Sequence, residues 1–140
     1  MPRLSPKSTT IAEAAYLMRQ GHAGNLVIVD SVKGRQIPCG IVTDRDIVIS
    51  VVAMKLDANV FTLGDLVITD LVTVTEQEGI FETIRKMKSH GIRRMPVVDE
   101  KGELAGIVSV DDMIELLGEE LGGLGKLIAR EQAKEARDRR

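Results

Sequence analysis

The chain states one pattern twice. Met18-Arg-Gln-Gly-His-Ala-Gly-Asn-Leu-Val-Ile-Val-Asp30 reads against Met87-Lys-Ser-His-Gly-Ile-Arg-Arg-Met-Pro-Val-Val-Asp99 at an offset of 69 residues, Asp30 to Asp99. Gly40-Ile-Val-Thr-Asp-Arg-Asp46 then reads against Gly106-Ile-Val-Ser-Val-Asp-Asp112 at an offset of 66, Gly40 to Gly106. A three-residue insertion in the first Asp-to-Gly loop accounts for the difference. Self-similarity of this kind constrains the fold more than any local propensity, because each copy is one supersecondary unit that buries its apolar face on its neighbour. Two copies imply a pseudo-symmetric pair with a cleft between its halves.

The 140 residues suffice for a compact domain with a sizeable core. A net charge of −2 shows no electrostatic footprint for a nucleic-acid backbone. Tyr16, Phe61 and Phe81 are the only aromatics, too few for base-stacking platforms. Cys39 is the single cysteine, so an intramolecular disulfide or cysteine metal cluster is excluded, and it reads as a small strand residue. No apolar run suits a signal peptide or a membrane span, and a cytoplasmic, non-membrane protein is expected.

Each copy predicts helix, strand, turn, strand, helix. In the first, residues 10–20 carry Ile11, Ala14, Ala15 and Met18 at helical spacing, with Gly21 as the stop. Residues 26–29 and 39–42 are strands flanking a turn at Lys33-Gly34-Arg35, and residues 46–55 form the second helix. In the second copy Ile80, Ile84 and Met87 line a helix that Thr75 and Glu78 would open as a capping box. Strands at 96–98 and 105–110 flank the turn at 100–102, and a helix over 112–121 closes the copy. The connector, residues 56–72, holds a short helix candidate after Thr62. Gly122-Gly123 reads as a helix break, followed by a charged, solvated helical tail in which Glu135 and Arg139 make a favourable i, i+4 pair. A role of that tail in dimer contact or partner docking is the sharper alternative. The expected units are residues 1–61, 62–121 and 122–140.

Chemistry concentrates at the two strand-to-helix junctions. Each has a glycine, two apolar residues, a hydroxyl (Thr43 or Ser109) and, three residues on, a carboxylate (Asp46 or Asp112). A hydroxyl at N-cap with an acid at N3 is close to a capping box, and a duplicated fold duplicates its caps. The same side chains suit a nucleotide. A carboxylate can accept both hydroxyls of a ribose diol, and an exposed helix N-terminus favours an anion. The two roles are compatible.

The double pattern resembles a pair of CBS domains, named after cystathionine β-synthase. Thr10-Ile-Ala-Glu-Ala-Ala15, Arg93-Arg-Met-Pro-Val-Val-Asp99 and the two junction motifs carry the resemblance, and the copies span nearly all of residues 4–121. It implies an α/β (α+β) fold of two pseudo-symmetric β-α-β-β-α repeats with small mixed sheets and two inter-repeat clefts. It also implies regulatory binding of an adenosyl effector (AMP, ADP, ATP or NAD) without catalysis. One cleft would use Ile41, Thr43 and Asp46 with Thr69, Ile92, Arg93 and Arg94. The other would use Ile107, Ser109 and Asp112 with Ala23, Gly24 and Asn25. Asp46 and Asp112 would hold ribose, and Thr43, Ser109 and Arg94 would meet phosphate.

Two departures from the family pattern stand out. Asn25 occupies the place of Arg94, and the segment before the first helix is short, so the Asp112 cleft is expected to lack one wall. The Asp46 cleft is therefore the expected binder. His22 and His90 have no partner at ligand spacing, and no metal site is expected. No Cys/His pair or Ser/His/Asp set supports an enzyme. The expectation is a regulatory module acting on an effector protein in trans or through homodimerisation. The helix over 47–54, apolar nearly all round, supports a homodimer. The alternative is a structural dimer module with vestigial clefts.

Overall fold

The computed structural model describes residues 3–67 and 70–139. Its elements run β1 (Leu4–Pro6), α1 (Ile11–Gly21), β2 (Asn25–Val32), β3 (Arg35–Thr43), α2 (Asp44–Ile47), α3 (Leu63–Leu66), β4 (Val74–Thr75), α4 (Ile80–His90), β5 (Arg94–Val98), β6 (Leu104–Ser109) and α5 (Val110–Asp138). After α2 the chain continues as a π-helical stretch, Val48–Val52.

The duplication is real at the level of hydrogen bonds. Each repeat forms a three-stranded mixed sheet, β1-β2-β3 or β4-β5-β6, with the first pair parallel and the second antiparallel. The register slips between Ile28 and Val29 in one sheet and between Val97 and Val98 in the other, which are equivalent positions. A bulge kept at the same place is a built feature that bends the strand. Strands β1 and β4 are too short to show an alternating pattern. They join because a parallel pair needs a helical crossover, which α1 and α4 supply.

Thr10 caps α1, its hydroxyl accepting from the Glu13 N–H at 3.1 Å. The helix ends at Gly21, its last residue, as the sequence suggests. His22 takes the left-handed terminating position at φ 49°, and Gly91 takes the equivalent place after α4 at φ 62°. A side chain with a Cβ is strained there, so the first copy closes its helix at greater cost than the second.

Two expectations are corrected. Thr75 and Glu78 do not open α4. Thr75 belongs to β4, Gly79 is the N-cap, and the Glu78 carboxylate pairs with the Lys86 ammonium at 2.9 Å. A charged partner outcompetes a backbone N–H for that carboxylate. Nor do Gly122 and Gly123 break the closing helix, since α5 runs unbroken from Val110 to Asp138. Glycine costs a helix about 1 kcal/mol relative to alanine but does not forbid it. With Gly118 and Gly125 also inside it, α5 is helical despite its glycines.

The core is unevenly shared. Ile11, Ala14, Leu26, Ile28, Val42, Val51 and Leu63 are fully or almost fully buried in the first repeat. Val74, Met87 and Met95 form a smaller cluster in the second. Leu26→Ala removes a fully buried side chain from the larger cluster and is expected to destabilise the protein by about 2–5 kcal/mol. A urea midpoint unchanged from the parent would contradict this packing.

The connector folds back on the first repeat. Ile11 N–H donates to Phe61 O at 3.0 Å and Leu63 N–H to Thr9 O at 2.8 Å. The Thr62 N–H is held by Asp65 Oδ2 at 2.8 Å, opening α3. Leu66 and Val67 then pack on the first core, which carries the connector across the junction between the repeats.

Candidate functional site

Strand β3 ends where Thr43 turns into α2. The Asp46 N–H donates to Thr43 Oγ1 at 3.1 Å, and Asp46 Oδ2 accepts from the Thr43 N–H at 2.8 Å. Ser109 and Asp112 repeat this at the start of α5, at 3.1 and 2.9 Å. Both junctions are therefore complete capping boxes. Each box uses one oxygen of its carboxylate and leaves Oδ1 without a hydrogen bond among the described residues, in a group that can accept about four. Capping and ligand binding do not compete for the same oxygen.

The Thr43–Asp46 junction stands at a cavity. A space of about 600 Å³ opens beside β3 and α2, within the size range of small-ligand sites. Ile41, Thr43 and Asp46 form one wall, while Ile92, Arg93 and Arg94 reach it from the other repeat. Thr69, expected beside them, lies outside the described residues. Arg93 is exposed and Arg94 half-buried, and neither makes an ion pair among the described residues. The wall thus offers uncommitted cations on one side and a half-used carboxylate on the other.

Sequence reasoning missed several lining residues. Ser50 was legible in principle, since it lies one helical turn after Asp46 and on the same face. Val67, Asp70 and Leu71 come from the connector, whose position depends on its packing against the first core. Val67 covers Gly40 so closely that a Cβ there would stand 3.2 Å from Val67 Cγ2 and 3.4 Å from Ile28 Cδ1. At the equivalent Gly106, an added Cβ meets nothing within 4 Å.

The second set is not gathered in the same way. Ile107, Ser109 and Asp112 share no wall with Ala23, Gly24 and Asn25 in the cavities beside Asp46, between α4 and α5, or along the C-terminal half of α5. Asn25 is instead the cross-strand partner of Thr43, and the Gly24 carbonyl accepts from the Asp44 N–H at 3.0 Å. These residues support the first junction from behind. Elsewhere, burial raises the Cys39 thiol, with the Asp30 charge adding to the effect, and its Sγ donates to the Ile28 carbonyl at 3.3 Å. A thiol held protonated in this way is a packing residue rather than a nucleophile.

The architecture and the paired junctions agree with a family model for the CBS domain, which matches twice, over residues 5–53 and 63–119. The chain belongs to the CBS-domain family. It is 37% identical over 112 residues to an uncharacterised protein of Methanopyrus kandleri, covering 80% of this chain and 55% of that one. It is 36% identical over 110 residues to hypoxic response protein 1 of Mycobacterium tuberculosis, covering 79% and 74%. The chain thus spans only about half the length of the first of these relatives. Among solved structures, a CBS domain protein from Pyrobaculum aerophilum complexed with AMP aligns with a TM-score of 0.69 at 29% identity, covering 79% and 82% of the two chains. The cytosolic domain of the Mg2+ channel MgtE in complex with ATP aligns at 0.67 and 26%, covering 82% and 44%. A hexameric CBS-CP12 protein from bloom-forming cyanobacteria aligns at 0.69 and 28%, covering 81% and 64%. No helix among the described residues is long and apolar enough to cross a membrane.

Proposed function

We propose that this CBS-domain pair is a non-catalytic regulatory module, acting in the cytoplasm, that binds one adenine nucleotide in the cavity beside Asp46. One observation carries the reading: Ile41, Thr43 and Asp46 of one repeat and Ile92, Arg93 and Arg94 of the other line a single cavity. In this reading Asp46 Oδ1 accepts from the ribose diol, the aliphatic Ile41 and Ile92 flank the base, and Arg94 meets phosphate. The AMP and ATP bound by two of the structural neighbours support the ligand class.

Regulation follows from linkage. Because the cavity draws on both repeats, a ligand that fits one arrangement of them better shifts their equilibrium toward it. The units we assign are residues 1–61 and 62–121, with 122–140 as an appendage. Output passes to an effector protein in trans or through a homodimer, for which the apolar face after α2 is suited. Val48, Ile49, Val52 and Met54 there are all more than half exposed. The second junction is read as vestigial for binding, since Asn25 replaces arginine and Gly106 faces open space.

Calorimetry on the full chain with AMP, ATP and NAD tests the proposal. Binding of at least one, at one site per chain and micromolar strength, is expected; millimolar or absent binding of all three rejects it. Arg94→Ala is expected to weaken AMP by about tenfold or more, the size of a charge-assisted hydrogen bond, and adenosine much less. Equal losses for both ligands would remove the phosphate role from Arg94.

A further inference from the structure

The family match ends at residue 119, but α5 continues to Asp138 as one helix. No residue of α5 is fully buried within the chain, although Val110 and Met113 pack on the second core and Leu117 is half-buried beside α4. Yet the helix has a seam. Ile114, Leu117, Leu121, Leu124 and Ile128 follow one another at alternating steps of three and four residues, the spacing that keeps one stripe facing a partner helix. Leu121 is 68% exposed, and Leu124 and Ile128 are each 57% exposed. At Gly118, Gly122 and Gly125 an added Cβ would meet nothing within 4 Å, so that side of α5 is open among the described residues. Glycines of this number weaken a lone solvated helix, and tertiary or quaternary burial is what ordinarily sustains one.

We infer that the seam Leu117–Leu121–Leu124–Ile128 is covered by the same seam of a second copy, running antiparallel. The stripe is self-complementary in that orientation. Leu117 of each copy meets Ile128 of the other, and Leu121 meets Leu124, about a two-fold axis that relates identical patches. Charge selects the direction. Residues 111–120 carry five carboxylates and no cation, whereas residues 126–139 carry five cations and three carboxylates. Antiparallel pairing lays the acidic half of one helix along the basic half of the other. Parallel pairing sets acid beside acid and also brings Glu131 and Glu135, which continue the seam, onto their own copies. The contact lies beyond the part of the chain that lines the nucleotide cavity and does not depend on that cavity being occupied.

The experiment uses full-length chains in a Cys39→Ala background, one bearing Leu117→Cys and the other Ile128→Cys, one of them carrying an affinity tag. Under mild oxidation the mixture is expected to form the 117–128 intermolecular disulfide, while neither variant alone links to itself. Adding Leu121→Asp with Leu124→Asp is expected to abolish the link and to lower the sedimentation mass twofold, with the cooperative thermal transition retained. Self-linked single variants mean a parallel contact and overturn the inference. So does an unlinked mixture, or a mass that ignores the two aspartates, which would leave the seam to an unrelated partner. Nucleotide affinity is not read at any step, so loss of the nucleotide proposal and loss of this one are separate results.

Discussion

Asp46→Ala weakens nucleotide binding by about ten- to hundredfold, the range set by a charged hydrogen-bond acceptor, whereas Asp112→Ala leaves affinity nearly unchanged. Each substitution removes the carboxylate half of one capping box, Asp46 from α2 and Asp112 from α5. Both should therefore lower stability by a similar amount, about 1 kcal/mol. The pair separates two roles that a single variant confounds. Equal stability losses with unequal affinity losses mean that Asp46 binds as well as caps. If both variants lose only stability, the junctions are caps and nothing more. Titration calorimetry and urea unfolding on the same preparations supply both readings.

Gly40→Val is expected to abolish nucleotide binding and to cost about 1–3 kcal/mol, the usual range for overpacking. A Cβ at Gly40 already crowds Val67 and Ile28, and a branched side chain adds two methyl groups to the cavity wall. Gly106→Val, at the equivalent place in the other repeat, meets open space and exchanges a poor strand residue for a good one. It should be neutral or slightly stabilising, with binding intact. Thermal unfolding and ligand titration of the two variants read the asymmetry directly. Equal damage at both glycines would mean that the connector does not wall the cavity.

The duplicated hydrogen-bond pattern explains why so much of the fold was legible. Residues 18–30 and 87–99 carry the same apolar positions, so helices α1 and α4 and strands β2 and β5 follow from one reading. The junction motifs were legible for the same reason, since a hydroxyl and a carboxylate three residues apart at a helix start act locally. Errors fell where a local signal met a stronger partner. Glu78 matched a cap by spacing, but Lys86, nearly two turns into α4, took its carboxylate. Gly122 and Gly123 matched a stop by type, but neither takes the left-handed conformation that ends a helix, as Gly91 does at φ 62°.

By itself the sequence determined the architecture, the two caps and the unequal chemistry of the copies, with arginine at position 94 and asparagine at 25. These depend on residue type and near-neighbour spacing, which a linear chain displays. Only the tertiary structure decided what walls the cavity at the Asp46 junction. That depends on the connector crossing to the first core, so that Val67 covers Gly40 while Gly106 stays open. A wall contributed by a distant segment leaves no periodicity at the site it covers, because its position is set by burial of apolar surface elsewhere.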